Sequence, residues 1–139
     1  MRILGIDYGD ARIGIAITDV MNILASPLEV YKPQSMRKSI DYISELAKAK
    51  GVERIVVGLP LNMNGTLGPQ GEKVKAFATN LEKVSGIEVV MKDERLTTVY
   101  VERAFSEMGM NKSRQKQVVD SSAAQVILQN YIDSLKYAK

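Results

Sequence analysis

The 139 residues carry 19 basic and 16 acidic side chains, a formal net charge of +3, and neither histidine nor cysteine. This composition excludes Ser-His and Cys-His catalysis, thiol redox chemistry and ordinary zinc sites. Carboxylates remain as the strongest ligands in the chain. They predict a hard cation, Mg²⁺ or Mn²⁺, if the protein is a metalloenzyme.

Length and hydropathy predict a single globular domain over residues 1–139. The chain is 45% hydrophobic and 25% charged, which is ordinary for a globular protein. No apolar run approaches the ~20 residues needed to span a bilayer, and the N-terminus lacks a signal-peptide pattern. We therefore expect a cytoplasmic protein without a membrane partner.

The first part of the chain predicts a β-hairpin, a third strand and a helix. Residues 2–6 and 13–18 are apolar runs with glycines between them, and residues 28–31 suit an edge strand. A helical period then begins after Ser35, and Gly51 ends it.

The rest of the chain alternates strands with helices. A β-branched run at residues 54–59 is typical of a strand covered on both faces, and a turn-rich loop over residues 61–71 follows it. Next come a helix closed by Gly86, a strand at residues 87–91, and two helices near residues 101–108 and 118–135. The order β-β-β-α-β-α-β-α-α predicts an α/β fold with a mixed five-stranded sheet and helices on both faces.

Acidic residues follow the first and last strands and begin the last predicted helix. Asp7 ends the first apolar run, Asp93 and Glu94 end the last strand, and Asp120 lies in the first turn of the final helix. Asp7 alone could accept turn hydrogen bonds, and Asp120 alone could complement a helix N-terminus. Together they predict a carboxylate cluster at the carboxyl edge of the parallel strands. Two divalent ions roughly 3.5–4 Å apart, held by such acids, can hydrolyse a phosphodiester.

Two further segments are candidates for phosphate contact. Residues 109–116 have the composition of a polar loop and carry Lys112, Arg114 and Lys116, which account for the whole positive excess. The loop over residues 58–71 offers backbone N–H groups and the amides of Asn62 and Asn64. A solvated charge run and ordinary turn chemistry are the respective alternatives.

Four ordered segments resemble the YqgF (RuvX) family, and they cover nearly the whole chain. They are RILGIDYGDARIGIAITD at residues 2–19, VVGLPLNMNGTLGP at 56–69, KDERLTT at 92–98 and VDSSAAQVIL at 119–128. The resemblance implies a ribonuclease H-like fold and divalent-metal-dependent nuclease activity. The family is described both as Holliday-junction resolvases and as nucleases that process the 5′ end of pre-16S ribosomal RNA.

The resemblance also implies roles for individual residues. Asp7, Glu94 and Asp120 correspond to the catalytic acids and metal ligands, with Asp93 as the alternative to Glu94. Many relatives carry a basic residue where this chain has Ala11. The residues expected to contact nucleic acid are Arg12, Asn62, Asn64, Arg95, Lys112, Arg114 and Lys116.

Two other classes of function compete with the nuclease. The Asp-x-Gly hairpin also resembles the phosphate-binding hairpin of the actin and sugar-kinase superfamily, but those folds need two such domains. A non-catalytic nucleic-acid-binding module acting in transcription would keep the fold without turnover.

For a nuclease, the expected partner is structured RNA or branched DNA. A homodimer would favour a junction substrate and a monomer would favour RNA trimming.

We predict that replacing Lys112, Arg114 and Lys116 together by Ala weakens nucleic-acid binding equally across sequences. The salt dependence of log K should fall by about 0.9 per lost contact on B-form DNA, or about 0.7 on single strands. Metal binding should persist, and binding isotherms over a range of salt concentrations measure the effect. An unchanged affinity and salt slope would identify these charges as a solvated face.

Overall fold

The computed structural model describes residues 1–93 and 112–137 and, within the last helix, the side chains of residues 123–135. The strands pair in the order β3-β2-β1-β4-β5. Strands β1, β2 and β3 are antiparallel, whereas β1, β4 and β5 are parallel. The elements are β1 (Arg2–Tyr8), β2 (Ile13–Thr18), β3 (Ala25–Tyr31), α1 (Met36–Ala49), β4 (Val52–Leu59), α2 (Pro69–Ser85), β5 (Glu88–Asp93) and α3 (Lys112–Tyr137).

This topology confirms the predicted mixed five-stranded sheet. The predicted capping residues also hold: the Ser35 side chain accepts a hydrogen bond from Lys38 N at the start of α1, and Gly86 ends α2 at φ +70°. The helix predicted near residues 101–108 lies outside the described residues. Within the described ranges, no helix has both the length and the hydropathy to cross a membrane.

The start of the last helix differs from the prediction. The helix α3 begins at Lys112, six residues before the predicted start, so Lys112, Arg114 and Lys116 lie in a helix and not in a loop. For the same reason Asp120 lies in its third turn and not in its first. The apolar period begins only near Val118, but Lys, Arg and Gln are strong helix formers and extend the helix backwards.

The sheet is covered on both faces, as predicted. One face packs against α1 and α2 through a core that includes Leu4, Ile6, Val57 and Phe77. The other face packs against α3, where Ile3 and Val56 meet a helix face. The residues that α3 contributes to this second core are Ala124, Ile127, Leu128 and Ile132. Successive residues of β1 therefore pack against helices on opposite faces of the sheet.

Two glutamines of α3 hold the helix to the connection between β2 and β3. The Gln129 amide accepts a hydrogen bond from Ala25 N at 2.8 Å and donates one to the carbonyl of Ile23 at 3.1 Å. Gln125 donates to the carbonyl of Ala25 at 3.1 Å. These bonds satisfy backbone groups at the edge strand and fix the position of α3 along the sheet.

We predict that Gln129→Glu destabilises the protein by about 1–3 kcal/mol, because a carboxylate cannot donate to the carbonyl of Ile23. Urea denaturation measures the loss. The control is Asn130→Asp, the same amide-to-acid change at the adjacent exposed position of α3, which should stay within about 0.5 kcal/mol of the parent. Equal effects of the two changes would contradict the role of Gln129.

Candidate active site

Asp7 lies near the carboxyl end of β1, the central strand of the sheet. It is the penultimate residue of the strand, is half-buried, and pairs across the ladder with Gly14 of β2. Ile6, its neighbour, is fully buried against α1 and α2. Because strand residues alternate between faces, Asp7 belongs to the face that α3 covers.

The contact of α3 with β1 shows in which direction the helix runs. Ala124 and Leu128 pack against Gly5, two residues before Asp7 on the same face of β1. Further along the helix, Tyr131 accepts a hydrogen bond at 2.8 Å from Arg54, near the start of β4. The helix therefore runs antiparallel to β1, and its N-terminal turns extend towards the Asp7 end of the sheet.

This direction places position 120 beside the end of β1. Position 120 is one helical turn before Ala124 and shares its face of α3, about 6 Å along the axis. Asp7 lies two residues beyond Gly5, or about 6.6 Å along the strand. The two distances match, so we expect the helix backbone to pass Asp7 near position 120. The Asp120 side chain itself lies outside the described residues.

The structure separates Asp93 from Asp7. Asp93 pairs with Leu59 at the end of β5, and it shares a strand face with Val89 and Met91. Those two residues line a small cavity against α2, on the sheet face opposite α3. Strand alternation thus puts Asp93 on the α2 face. This placement argues against Asp93 as a ligand beside Asp7, and Glu94 lies outside the described residues.

The β1–β2 turn is tied to the first turns of α2. Its residue Asp10 pairs with Lys73 Nζ at 3.2 Å, and both side chains are more than half exposed. The preceding Tyr8 packs against Phe77 of α2 with a ring separation of 4.4 Å. Burial raises the pKa of Tyr8, the Asp10 carboxylate adds to the rise, and the Lys73 ammonium opposes it.

Lys73 is a functional candidate that the sequence analysis missed. It stands among other lysines and glutamates of a predicted helix, so no sequence pattern distinguishes it. In the structure its ammonium reaches the turn that also carries Arg12, a half-buried residue. Both cations therefore lie on the edge of the sheet where Asp7 is found.

The loop after β4 is a small, internally bonded hairpin. Leu61 bridges Leu67, and the amide of Asn62 donates to Thr66 Oγ1 at 2.9 Å. Asn64 accepts from both the backbone N–H and the hydroxyl of Thr66, at 3.1 and 2.7 Å. Both asparagines, which were predicted to contact nucleic acid, thus shape the loop, although both remain exposed.

The hairpin leads directly into the N-terminus of α2. Gly68 is its N-cap and supplies no side-chain hydrogen bond, and Pro69 occupies the first turn. Gly71 is fully enclosed, because a side chain there would collide with Leu67 and with the Pro60 carbonyl. The positive end of the α2 dipole therefore lies at the carboxyl edge of the parallel strands without a capping side chain.

The remaining predicted nucleic-acid contacts lie further from Asp7 along the chain. Lys112, Arg114 and Lys116 occupy the first turns of α3, before Asp120 on the same helix. Their side chains and Arg95 lie outside the described residues. What the described part brings together at one edge is Asp7, Arg12, Lys73, the α2 N-terminus and the helix backbone at position 120.

Comparison with known proteins identifies the family. The sequence profile of the RuvX family, whose description is Holliday junction resolvase, matches residues 1–134. The chain belongs to the RuvX family. A relative from Caldanaerobacter subterraneus subsp. tengcongensis is 47% identical over 98% of this chain and 99% of its own length. One from Bacillus cereus is 48% identical over 96% and 99%. Both carry the provisional name pre-16S rRNA nuclease.

Solved structures of two Holliday-junction resolvases share the fold of this RuvX chain. Thermus thermophilus RuvC, solved with its junction substrate, superposes with a TM-score of 0.61 at 18% identity, covering 100% of this chain and 98% of RuvC. The fowlpox virus resolvase, also solved with junction DNA, gives 0.56 at 14% identity, covering 97% and 99%. These likenesses confirm the ribonuclease H-like fold.

The donor set of this RuvX chain fits a hard divalent cation. Asp7 supplies a half-buried carboxylate at the strand end, and the helix backbone of α3 carries a second acid past the same place. Oxygen donors of this kind suit Mg²⁺ and Mn²⁺. Within residues 1–93 and 123–135, no three acids gather into a metal site. Two of the three expected ligands, Glu94 and the Asp120 side chain, lie outside those residues.

We predict that Glu94→Gln lowers the cleavage rate by orders of magnitude, because the family resemblance makes Glu94 a charged metal ligand. Asp93→Asn, the matched change one residue earlier, should have a much smaller effect because Asp93 belongs to the α2 face. Single-turnover rates at saturating Mn²⁺ compare the two variants. The reverse order would overturn the face assignment.

Proposed function

We propose that this RuvX protein is a divalent-metal-dependent nuclease that trims the 5′ end of pre-16S ribosomal RNA. The observation that carries the proposal is the antiparallel passage of α3 across β1 at Gly5, which brings position 120 to the end of the strand that holds Asp7. The names of the relatives at 47% and 48% identity support the RNA substrate.

In this proposal the acids hold the metal and the cations hold the substrate. Asp7, Glu94 and Asp120 are the ligands, and Mg²⁺ or Mn²⁺, when bound, activates water and stabilises the leaving oxygen. Arg12 and Lys73 neutralise phosphates that flank the scissile bond. The unblocked N–H groups at the start of α2 donate hydrogen bonds to a further phosphate oxygen.

Metal and phosphate contacts alone do not select a base sequence. The internal bonding of Asn62 and Asn64 fits this view, because the loop that carries them has a fixed shape and its amides are partly used within it. We therefore expect the protein to recognise the shape of a structured RNA, with base identity contributing little.

The second candidate function is cleavage of a four-way DNA junction. The family description favours it, since the profile that matches residues 1–134 is described as Holliday junction resolvase. Symmetric resolution requires two active sites, so this function demands a homodimer, whereas trimming of RNA needs only a monomer.

The third possibility, a non-catalytic module acting in transcription, requires neither a metal nor cleavage. We place the RNA-trimming reaction in the cytoplasm.

We predict that Asp7→Asn abolishes cleavage in Mg²⁺ or Mn²⁺ and lowers metal affinity, while the fold is kept or slightly stabilised by relief of like-charge repulsion. The experiment compares wild type and variant on a 5′-extended ribosomal RNA precursor and on a four-way DNA junction. The control is Asp10→Asn, the same change in the adjacent turn, which should cost only a few-fold.

The outcomes of this experiment distinguish the three candidate functions and test the role of Asp7. Metal-dependent cleavage of the precursor alone supports the proposal, and cleavage of the junction alone replaces it with the second candidate. A variant that cleaves as fast as wild type would exclude Asp7 as a ligand. Failure of wild type to bind Mn²⁺ in a calorimetric titration would favour the binding module.

A further inference from the structure

Gly5 is the point at which α3 comes closest to the central strand. A Cβ atom built on Gly5 would lie 2.7 Å from Leu128 Cβ and 3.1 Å from the carbonyl oxygen of Ala124. Neither of those atoms is the far end of a flexible side chain. The helix can therefore sit at this separation only because residue 5 has no side chain.

The separation at Gly5 affects the active site directly. Both contacting residues lie one to two turns after position 120 on the same helix, and Gly5 lies two residues before Asp7 on the same strand face. The other end of the helix is held by Gln129 at the β2–β3 connection and by Tyr131 at Arg54. A push at Gly5 therefore displaces the N-terminal turns of α3, which carry Asp120.

We propose that Gly5 is a positioning residue, whose missing side chain sets the spacing between Asp7 and the α3 backbone at position 120 and hence the affinity for the metal. The inference rests on the proposed metal-dependent nuclease. It adds a residue that touches neither metal nor substrate, and it predicts that activity depends on the separation of α3 from β1.

The size of the displacement follows from the contact distance. Ordinary van der Waals contact begins at 3.4 Å, so accommodating a Cβ at 2.7 Å from Leu128 Cβ requires a movement of about 0.7 Å. Misplacement of about 1 Å at a reacting centre can cost roughly 100-fold in rate. Disturbing the residues that orient metal ligands typically costs about 10–100-fold in metal affinity.

A merely structural role for Gly5 makes a different prediction. If the close approach only stabilises the core, then any change at this contact should affect activity in proportion to the stability that it removes. Two kinds of change separate the possibilities. A substitution that adds atoms, here called a wedge, pushes α3 away from the sheet. A substitution that removes atoms, here called a hole, leaves the helix where the hydrogen bonds of Gln129 and Tyr131 hold it.

The experiment uses two wedges and one hole in the full-length chain. Gly5→Ala is a wedge at the contact itself, Ala124→Ser is a smaller wedge that adds one atom to the core between α3 and the sheet, and Leu128→Ala is the hole. Each variant is checked by circular dichroism and thermal melting. Electron paramagnetic resonance of free Mn²⁺ then measures metal affinity without any need for turnover, and single-turnover cleavage follows.

We expect Gly5→Ala to weaken Mn²⁺ binding by about tenfold or more and to lower the rate by up to roughly 100-fold. Ala124→Ser should change both quantities in the same direction. Leu128→Ala should lower the melting temperature more than either wedge, because cavities in a core are costly. The Leu128→Ala protein should nevertheless keep its Mn²⁺ affinity within about threefold of wild type. That change is much smaller than the loss of about 10–100-fold expected when metal ligands are displaced.

Two results would overturn the proposal: wild-type Mn²⁺ affinity in the wedge variants, or a loss in Leu128→Ala as large as theirs. If Gly5→Ala does not fold, Ala124→Ser carries the same test. Asp7→Asn in the same titration distinguishes the two levels of failure. If Asp7→Asn loses Mn²⁺ and the wedges do not, the spacing idea fails alone. If Asp7→Asn binds Mn²⁺ as wild type does, the proposed function itself fails.

Discussion

The close packing of α3 on β1 is the contact on which the proposed site depends. Gly5 allows the helix to approach the strand, and the nearest helix atoms are Leu128 Cβ and the carbonyl oxygen of Ala124. Because the helix runs antiparallel to the strand, one turn of helix and two residues of strand lead from this contact to Asp120 and Asp7. In the proposed site, the separation of α3 from β1 at this contact sets how far Asp7 lies from position 120 of the helix.

The two faces of the sheet have different roles. The face towards α1 and α2 holds the larger apolar core, including Phe77 and the tilted Tyr8 ring that packs on it. The face towards α3 ends at the acidic edge. The alternation of β1 and β5 assigns residues to these faces, with Asp7 on the α3 face and Asp93 on the α2 face.

Much of the fold was predictable because its signals are local. The apolar periods gave the strands and helices, and Ser35, Gly51 and Gly86 marked helix ends. The start of α3 was predicted six residues too late, since Lys112 to Lys116 has helix-forming residues but no apolar period to reveal it. Because of this error, three predicted phosphate contacts were assigned to a loop, although they lie in the helix.

The site was predictable only in part, because its geometry depends on contacts between distant segments. Asp7 could be found from its place after an apolar run, but the face that it shares with α3 follows only from the packing at Gly5. The tie between Asp10 and Lys73 spans 63 residues and has no sequence signature. The bonds of Asn62 and Asn64 to Thr66 likewise depend on the shape of the loop.

The most direct test of the account is anomalous diffraction at the manganese absorption edge from crystals of the protein grown with Mn²⁺. The account predicts an anomalous peak bonded to carboxylate oxygens of both Asp7 and Asp120, at the carboxyl end of β1. A manganese peak that contacts neither acid, or contacts Asp93 in place of Asp7, would contradict it.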